Sequence, residues 1–85
     1  MPEISRFYGI LILMLYSDHN PPHFHAKYGE YEVTVDIETG IVTGSMPKRA
    51  LSLILEWYEI HVDELKELWK LAESRSPLKK VPPLP

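Results

Sequence analysis

Hydrophobic and polar residues alternate most regularly on either side of Gly29-Glu30. Glycine at the first of two loop positions suits a type II′ hairpin turn, so the strand register follows by counting outwards from it. Each pair of facing residues then matches in character, ending with His23 opposite Asp36. The pattern predicts strands over residues 23–28 and 31–37. Its hydrophobic face carries Phe24, Ala26, Tyr28, Tyr31, Val33 and Val35. Its polar face carries His23, His25, Lys27, Glu32, Thr34 and Asp36.

A longer apolar segment, residues 7–16, precedes this hairpin. Alternate residues of this segment would lie on opposite faces of a strand, and both sets are hydrophobic. This is typical of a strand covered on both faces. Periodicity alone would fit a buried helix equally well, but the isoleucine and tyrosine content favours a strand. After the hairpin, residues 38–40 predict a type I turn with Gly40 in the left-handed conformation, and residues 41–44 return as a short strand.

Apolar residues recur at helical spacing over residues 47–74. Pro47 suits the first turn of this helix. Of the two residues before it, Ser45 and Met46, Ser45 is the better capping residue. A straight helix of about 27 residues would be about 40 Å long. Because a chain of this size implies a diameter of only about 25 Å, we expect a bend near residues 60–63 or two consecutive helices.

The proline-rich tail, residues 77–85, is predicted to be extended, with Val81 and Leu84 as points of docking. Together these elements predict a single α+β domain over residues 1–76. It would comprise a small antiparallel sheet of about four strands, with the helical segment packed on one face.

The composition limits the class of protein. The chain has 85 residues, no cysteine and a net charge of −3. Without cysteine it has no disulfide, thiolate ligand or cysteine nucleophile, which suits a reducing cytoplasm. The charge argues against a protein that coats nucleic acid generally, and the longest apolar run is too short to span a bilayer. The apolar surface of residues 7–16 and of the helix exceeds what one layer can cover, which predicts a homodimer or a small cognate protein partner.

Candidate chemistry concentrates in Asp18-His19-Asn20-Pro21-Pro22-His23-Phe24-His25-Ala26, called here the histidine segment, which holds three of the four histidines. Its prolines restrict the backbone, and histidine titrates nearest neutrality. One hypothesis is a metal site. His23 and His25 lie two apart on one strand face, and Asp18, His19 or Asp36 would complete a nitrogen and oxygen set suited to zinc or another transition metal.

The second hypothesis is acid–base chemistry. His23 or His25 would transfer protons, Asp36 would orient His23 across the strands, and Lys27 and Arg49 would stabilise developing negative charge. These are the groups that a metal-independent ribonuclease needs.

A third hypothesis gives the histidine segment no chemistry. Asp18 and Asn20 would cap the turn, and the histidines would lie on a solvated face that contacts a protein partner. His61 lies at the edge of the helical apolar stripe and is interpreted as a hydrogen-bonded histidine at the core margin. Trp57 and Trp69 are assigned to the core.

With these residues in view, the chain resembles the DUF4160 family of small bacterial and archaeal proteins over nearly its whole length. The resemblance is most specific in the histidine segment and in Tyr28-Gly29-Glu30-Tyr31. Further matching positions are Asp36-Ile37, Thr39-Gly40, Pro47, Arg49-Ala50-Leu51, Glu56-Trp57, His61, Glu64-Leu65 and Trp69. The resemblance implies a context, since members are often encoded beside a small DUF2442-type protein as suspected toxin–antitoxin pairs. It implies no residue roles.

The sequence thus leads to the hypothesis of a cytoplasmic, prokaryotic component of a toxin–antitoxin type. The preferred activity is an RNA-cleaving toxin that uses the histidine segment without a cofactor. The alternatives are a transition-metal-binding protein with the same histidines as ligands and a non-catalytic module that binds a cognate protein.

Overall fold

A computed structural model of the protein describes residues 2–16 and 18–85, and Met1 and Ser17 lie outside the described residues. The elements are β1 (Glu3–Phe7), β2 (Ile10–Leu13), β3 (His23–Tyr28), β4 (Tyr31–Asp36), β5 (Val42–Ser45) and α1 (Lys48–Glu73). The strands form one antiparallel sheet in the order β1-β2-β3-β4-β5. The predicted α+β class is confirmed, with five strands rather than about four.

The β3–β4 hairpin has the predicted register, from Tyr28 opposite Tyr31 to His23 opposite Asp36. Gly29 has a φ of +58°, which the predicted turn requires at its first loop position. Away from the hairpin tip, the side chains of the apolar face are buried, namely Phe24, Ala26, Val33 and Val35. The register prediction is therefore confirmed.

The predicted strand over residues 7–16 is wrong in its extent. The chain reverses at Tyr8-Gly9, between the paired residues Phe7 and Ile10, so the lead-in to this segment forms the edge strand β1. Tyr8 and Gly9 both have positive φ, at 49° and 80°, as a type I′ turn requires. Tyrosine rarely adopts this conformation, so the continuous hydrophobic pattern did not indicate a turn at this position.

Helix α1 packs on the apolar face of the sheet, where the Trp57 ring lies 5.6 Å from the rings of Phe7 and Phe24. The predicted bend is confirmed, because His61 has non-helical angles of φ −113° and ψ 17°. The predicted cap is wrong, since Ser45 pairs with Glu32 at the end of β5 and Pro47 takes the N-cap position. Within the described part of the chain, no helix is both long and apolar enough to cross a membrane.

The proline-rich tail runs beside β1 and closes the core. The Val81 N–H donates to the Ile4 carbonyl oxygen at 2.7 Å, and Trp57 Nε1 donates to the Pro82 carbonyl oxygen at 2.9 Å. Val81 and Leu84 are buried, which confirms both predicted docking points. An edge strand whose backbone groups are partly covered in this way is protected from pairing with other chains.

In the turn between β4 and β5, Gly40 has a φ of +78°, which confirms its predicted left-handed conformation. The Asp36 carboxylate accepts hydrogen bonds from the backbone N–H groups of Glu38 and Thr39, at 2.8 and 2.9 Å. On the helix side, the Tyr58 hydroxyl donates to the Ile37 carbonyl oxygen at 2.6 Å. The turn is thus held from both sides.

Replacing Tyr58 by Phe is expected to lower the free energy of unfolding by about 1 kcal/mol near neutral pH, the usual net value of one hydrogen bond. Burial raises the pKa of the Tyr58 hydroxyl above its ordinary value of 10.0, and the carboxylates of Asp36 and Glu59 raise it further. Because the folded-state pKa is the higher one, this contribution is complete below a pH of about 10 and is lost as pH rises through the folded-state pKa. Urea unfolding of both proteins should show their difference shrinking above that pH. A difference that stays constant would exclude a role for the hydroxyl proton.

Candidate functional site

The polar face of the sheet presents one row of side chains across four strands. His25 pairs with Leu13 on one side and with Thr34 on the other, and Thr34 pairs with Thr43. His23 lies two residues before His25 on β3, so both rings project from the same face. The strands therefore fix the two histidines side by side before any loop contributes.

Asp18 comes from the connection between β2 and β3 and lies between the two imidazole rings. Its Oδ2 atom is 2.9 Å from Nε2 of His23 and 3.4 Å from Nε2 of His25. The three donor atoms that Asp18, His23 and His25 offer to a metal all lie within 4.8 Å of one another. The side chains are 14, 12 and 17% exposed, so the cluster is largely shielded from solvent.

The other nitrogen of each ring has a separate partner. His23 Nδ1 is 2.7 Å from the Pro21 carbonyl oxygen, and His25 Nδ1 is 3.3 Å from Oε2 of Glu32. The Trp69 ring lies 5.3 Å from the His23 ring. Contacts at both nitrogens hold each imidazole in position, and Trp69 also covers one face of the His23 ring.

The Asp18 carboxylate is stabilised in its charged form. Burial raises the pKa of Asp18, but the His19 backbone N–H and the contacts with His25 and His23 outweigh burial. They hold the pKa below its ordinary value of 3.8. The group is therefore an anion throughout the physiological range.

His19 borders this cluster without entering it. Its Nδ1 is 3.0 Å from Oδ1 of Asp18, and the side chain is 86% exposed. The ring lies 5.6 Å from that of His23. Of the predicted metal ligands, the structure brings together Asp18, His23 and His25 and leaves His19 on the solvent side.

Asp36 does not orient His23 as predicted. It faces His23 in the register, but both His23 ring nitrogens contact Pro21 and Asp18 instead. The Asp36 carboxylate caps its own turn. Strand pairing predicted the neighbourhood correctly, whereas the path of the β2–β3 connection decided which carboxylate meets the ring.

The two cations predicted for the acid–base site lie elsewhere. Lys27 Nζ is 3.8 Å from Oε1 of Glu32 and lines a different groove, beside Arg6. Arg49 lies in the first turn of α1 and lines a groove with Tyr8. Neither cation lines the pocket over the histidines.

His61 fits its interpretation as a core-margin residue. Its Nδ1 lies 2.6 Å from Oε1 of Glu64, and its ring is 5.5 Å from that of Trp57. Sequence reasoning assigned Trp57 and Trp69 to the core, which is confirmed, but missed that Trp69 also covers His23.

Glu32 is a second residue that sequence reasoning missed. It was placed on the polar face without a role, yet it is the diagonal cross-strand neighbour of His25, within reach of a long side chain. The predicted register therefore already contained the signal for this contact.

A pocket of about 390 Å³ opens over the cluster. Its other lining residues include the polar Thr34, Thr43 and Asp36 and the apolar Leu15 and Ile41. Such a volume lies at the small end of the range for small-molecule sites, about 300–1,000 Å³. The cluster therefore has room beside it for a ligand.

Comparison with known proteins finds no match among curated proteins and none among solved structures. The model of one family, DUF4160, described as a domain of unknown function, matches residues 9–70. This range includes the histidine segment, the hairpin and most of α1. The chain therefore belongs to the DUF4160 family.

Proposed function

We propose that this protein binds a divalent transition-metal ion through Asp18, His23 and His25. The observation that carries the proposal is that both Nε2 atoms face one Asp18 oxygen while both Nδ1 atoms face other acceptors. Histidine ligands of metals are commonly held in this way, with the outer ring nitrogen donating to a carbonyl or carboxylate.

The protonation of the rings supports this proposal. The Pro21 carbonyl only accepts, so His23 Nδ1 carries the hydrogen, and a neutral ring turns the Nε2 lone pair towards the Asp18 carboxylate. His25 lies between two carboxylates and has the same conflict. One shared metal ion between the rings and Asp18, or one extra proton on each ring, would satisfy these contacts.

A shared ion resolves both conflicts at once. Two extra protons would instead create two imidazolium rings with centroids 5.2 Å apart. In a tetrahedral site with bonds of about 2.1 Å, donor atoms lie about 3.4 Å from one another. The separation between Asp18 Oδ2 and His25 Nε2 is 3.4 Å, that to His23 Nε2 is shorter at 2.9 Å, and all three donor atoms lie within 4.8 Å of one another.

Two histidines and one carboxylate leave at least one coordination position for water or a ligand. In the pocket described above, a bound ion would supply Lewis-acid chemistry and lower the pKa of bound water. The ribonuclease hypothesis remains a prediction with less support, because phosphate binding requires cations and Lys27 and Arg49 line other grooves.

For the cellular setting, we propose a prokaryotic, cytoplasmic component of a toxin–antitoxin type that acts as a homodimer or with a cognate protein. The toxin–antitoxin type is proposed from membership of the DUF4160 family, and the lack of cysteine supports the cytoplasmic setting. The side chains of Tyr8, Tyr31 and Ile60, which are 61, 46 and 61% exposed, support association with another chain. Tyrosine in particular is enriched at protein interfaces.

Sedimentation or light scattering of the purified protein at high micromolar concentration is expected to give a dimer mass. The physical reason is that exposed tyrosine and isoleucine side chains are removed from water on association. A monomer at that concentration, without any added partner, would contradict the homodimer and leave only the hetero-complex with a cognate protein.

The double substitution of His23 and His25 by Ala is expected to abolish Co²⁺ and Zn²⁺ binding in calorimetry. In the native protein, Co²⁺ should quench Trp69 fluorescence, because this ring lies against His23. Affinity should rise with pH, with proton release, since ligating imidazoles must be neutral at the bound nitrogen.

The matched control for this test is His61→Gln, which removes a histidine outside the cluster and should leave metal affinity unchanged. His19→Gln should change the affinity by less than about tenfold, because His19 lies on the solvent side of the site. RNA cleavage that persists in chelator and requires His23 would contradict the metal proposal and favour acid–base chemistry.

Replacing Glu32 by Gln is expected to weaken metal binding by about 10- to 100-fold without unfolding the protein. The carboxylate that accepts from His25 Nδ1 makes the opposite nitrogen more basic, and a neutral amide does so less. Glu30→Gln, in the adjacent hairpin turn, is the matched control for the change in net charge. Equal affinities of the two variants would exclude an outer-shell role for Glu32.

A further inference from the structure

We infer that the pocket beside the Asp18, His23 and His25 cluster selects an uncharged small molecule and excludes phosphate and other anions. The ligand would place a carbonyl oxygen at the open metal position and form hydrogen bonds with the threonine hydroxyls and Asp36. This inference rests on the proposed metal site and adds the substrate class.

Charge provides the first argument. The pocket is lined by two carboxylates, those of Asp18 and Asp36, and by no lysine or arginine among the described residues. A bound divalent ion would balance these two charges and leave a neutral cavity. An anion would then gain no net attraction and would meet Asp36 at short range.

Lys27, a cation on this sheet face, does not change the net charge of the pocket. Lys27 is two residues beyond His25, but its Nζ faces the Glu32 carboxylate and it borders another groove. Glu32 in turn also contacts His25. The Glu32 carboxylate thus neutralises the Lys27 charge outside the pocket.

The polar lining provides the second argument. Thr34 and Thr43 are paired across β4 and β5, so their side chains lie side by side on the floor of the pocket. Asp36 is fixed by two backbone N–H groups on one oxygen. Two hydroxyls and a fixed carboxylate suit a ligand with hydroxyl or amide groups, and Leu15 and Ile41 can contact its apolar part.

The test uses the Co²⁺-loaded protein and two probes, lactamide and inorganic phosphate. Lactamide stays uncharged when it binds a metal through its carbonyl oxygen, and it carries the hydroxyl and amide groups that the lining suits. Binding is followed by the visible absorption of Co²⁺. The native protein is expected to bind lactamide at least about tenfold more tightly than phosphate. Asp36→Asn should raise the phosphate affinity by about tenfold and change the lactamide affinity by less than about threefold.

Asn at position 36 keeps a side-chain oxygen for the turn N–H groups, so this variant is expected to fold, which its urea unfolding midpoint will verify. The matched control is Glu38→Gln, which removes the same charge from the same turn but lines another groove. It should leave both affinities unchanged. Thr34→Val should weaken lactamide binding by about three- to tenfold through the lost hydroxyl.

The outcomes are distinguishable. If Co²⁺ does not bind at all, the proposed metal site fails, and this inference fails with it. If Co²⁺ binds but phosphate is preferred, or if Asp36→Asn leaves the phosphate affinity unchanged, only the inference about the ligand is overturned.

Discussion

The register of the β3–β4 hairpin is the constraint on which the core and the candidate site both depend. Phe24 and Val35 face α1, and the alternation of the strand then places His23 and His25 on the opposite face. A slip of one residue would exchange the two faces. Each large apolar side chain exposed by that slip would lose about 2 kcal/mol of burial free energy. Hydrophobic burial therefore fixes where the histidines point, without any energy from the site itself.

Helix α1 connects this core to the site. Before the bend at His61, Trp57 lies at the centre of the core, where its indole N–H is satisfied by the tail. After the bend, Trp69 packs against His23. The helix thus contributes to both regions, and the bend lets successive turns meet different parts of the sheet. A ring held on one face by Trp69 and at Nδ1 by Pro21 has little freedom to turn away from Asp18.

Sequence reasoning succeeded where short-range rules dominate. Gly29 fixed the hairpin register, the length of α1 required a bend, and the tail residues Val81 and Leu84 stood out as apolar among prolines. It failed where the backbone departs from the common residue preferences, as at Tyr8 in the first hairpin turn. It also chose Asp36 over Asp18 as the partner of His23, because pairing rules describe strands and not the path of an irregular connection. Glu32 was within reach of the same rules, as a diagonal neighbour.

The strands and the β2–β3 connection contribute different groups to the cluster, and this has an electrostatic consequence. The strands hold the nitrogen donors, while the connection supplies the carboxylate, and a largely shielded carboxylate is unfavourable unless positive charge compensates it. The His19 backbone N–H supplies part of this compensation, at 2.9 Å from Asp18 Oδ1, and a proton or a metal ion on the rings of His23 and His25 would supply more. That same charge is adjacent to Trp69 through His23 and to Glu32 through His25. Whatever cation occupies the cluster consequently stabilises the connection, the second half of α1 and the β3–β4 pair together, so site occupancy and local stability are one linked equilibrium.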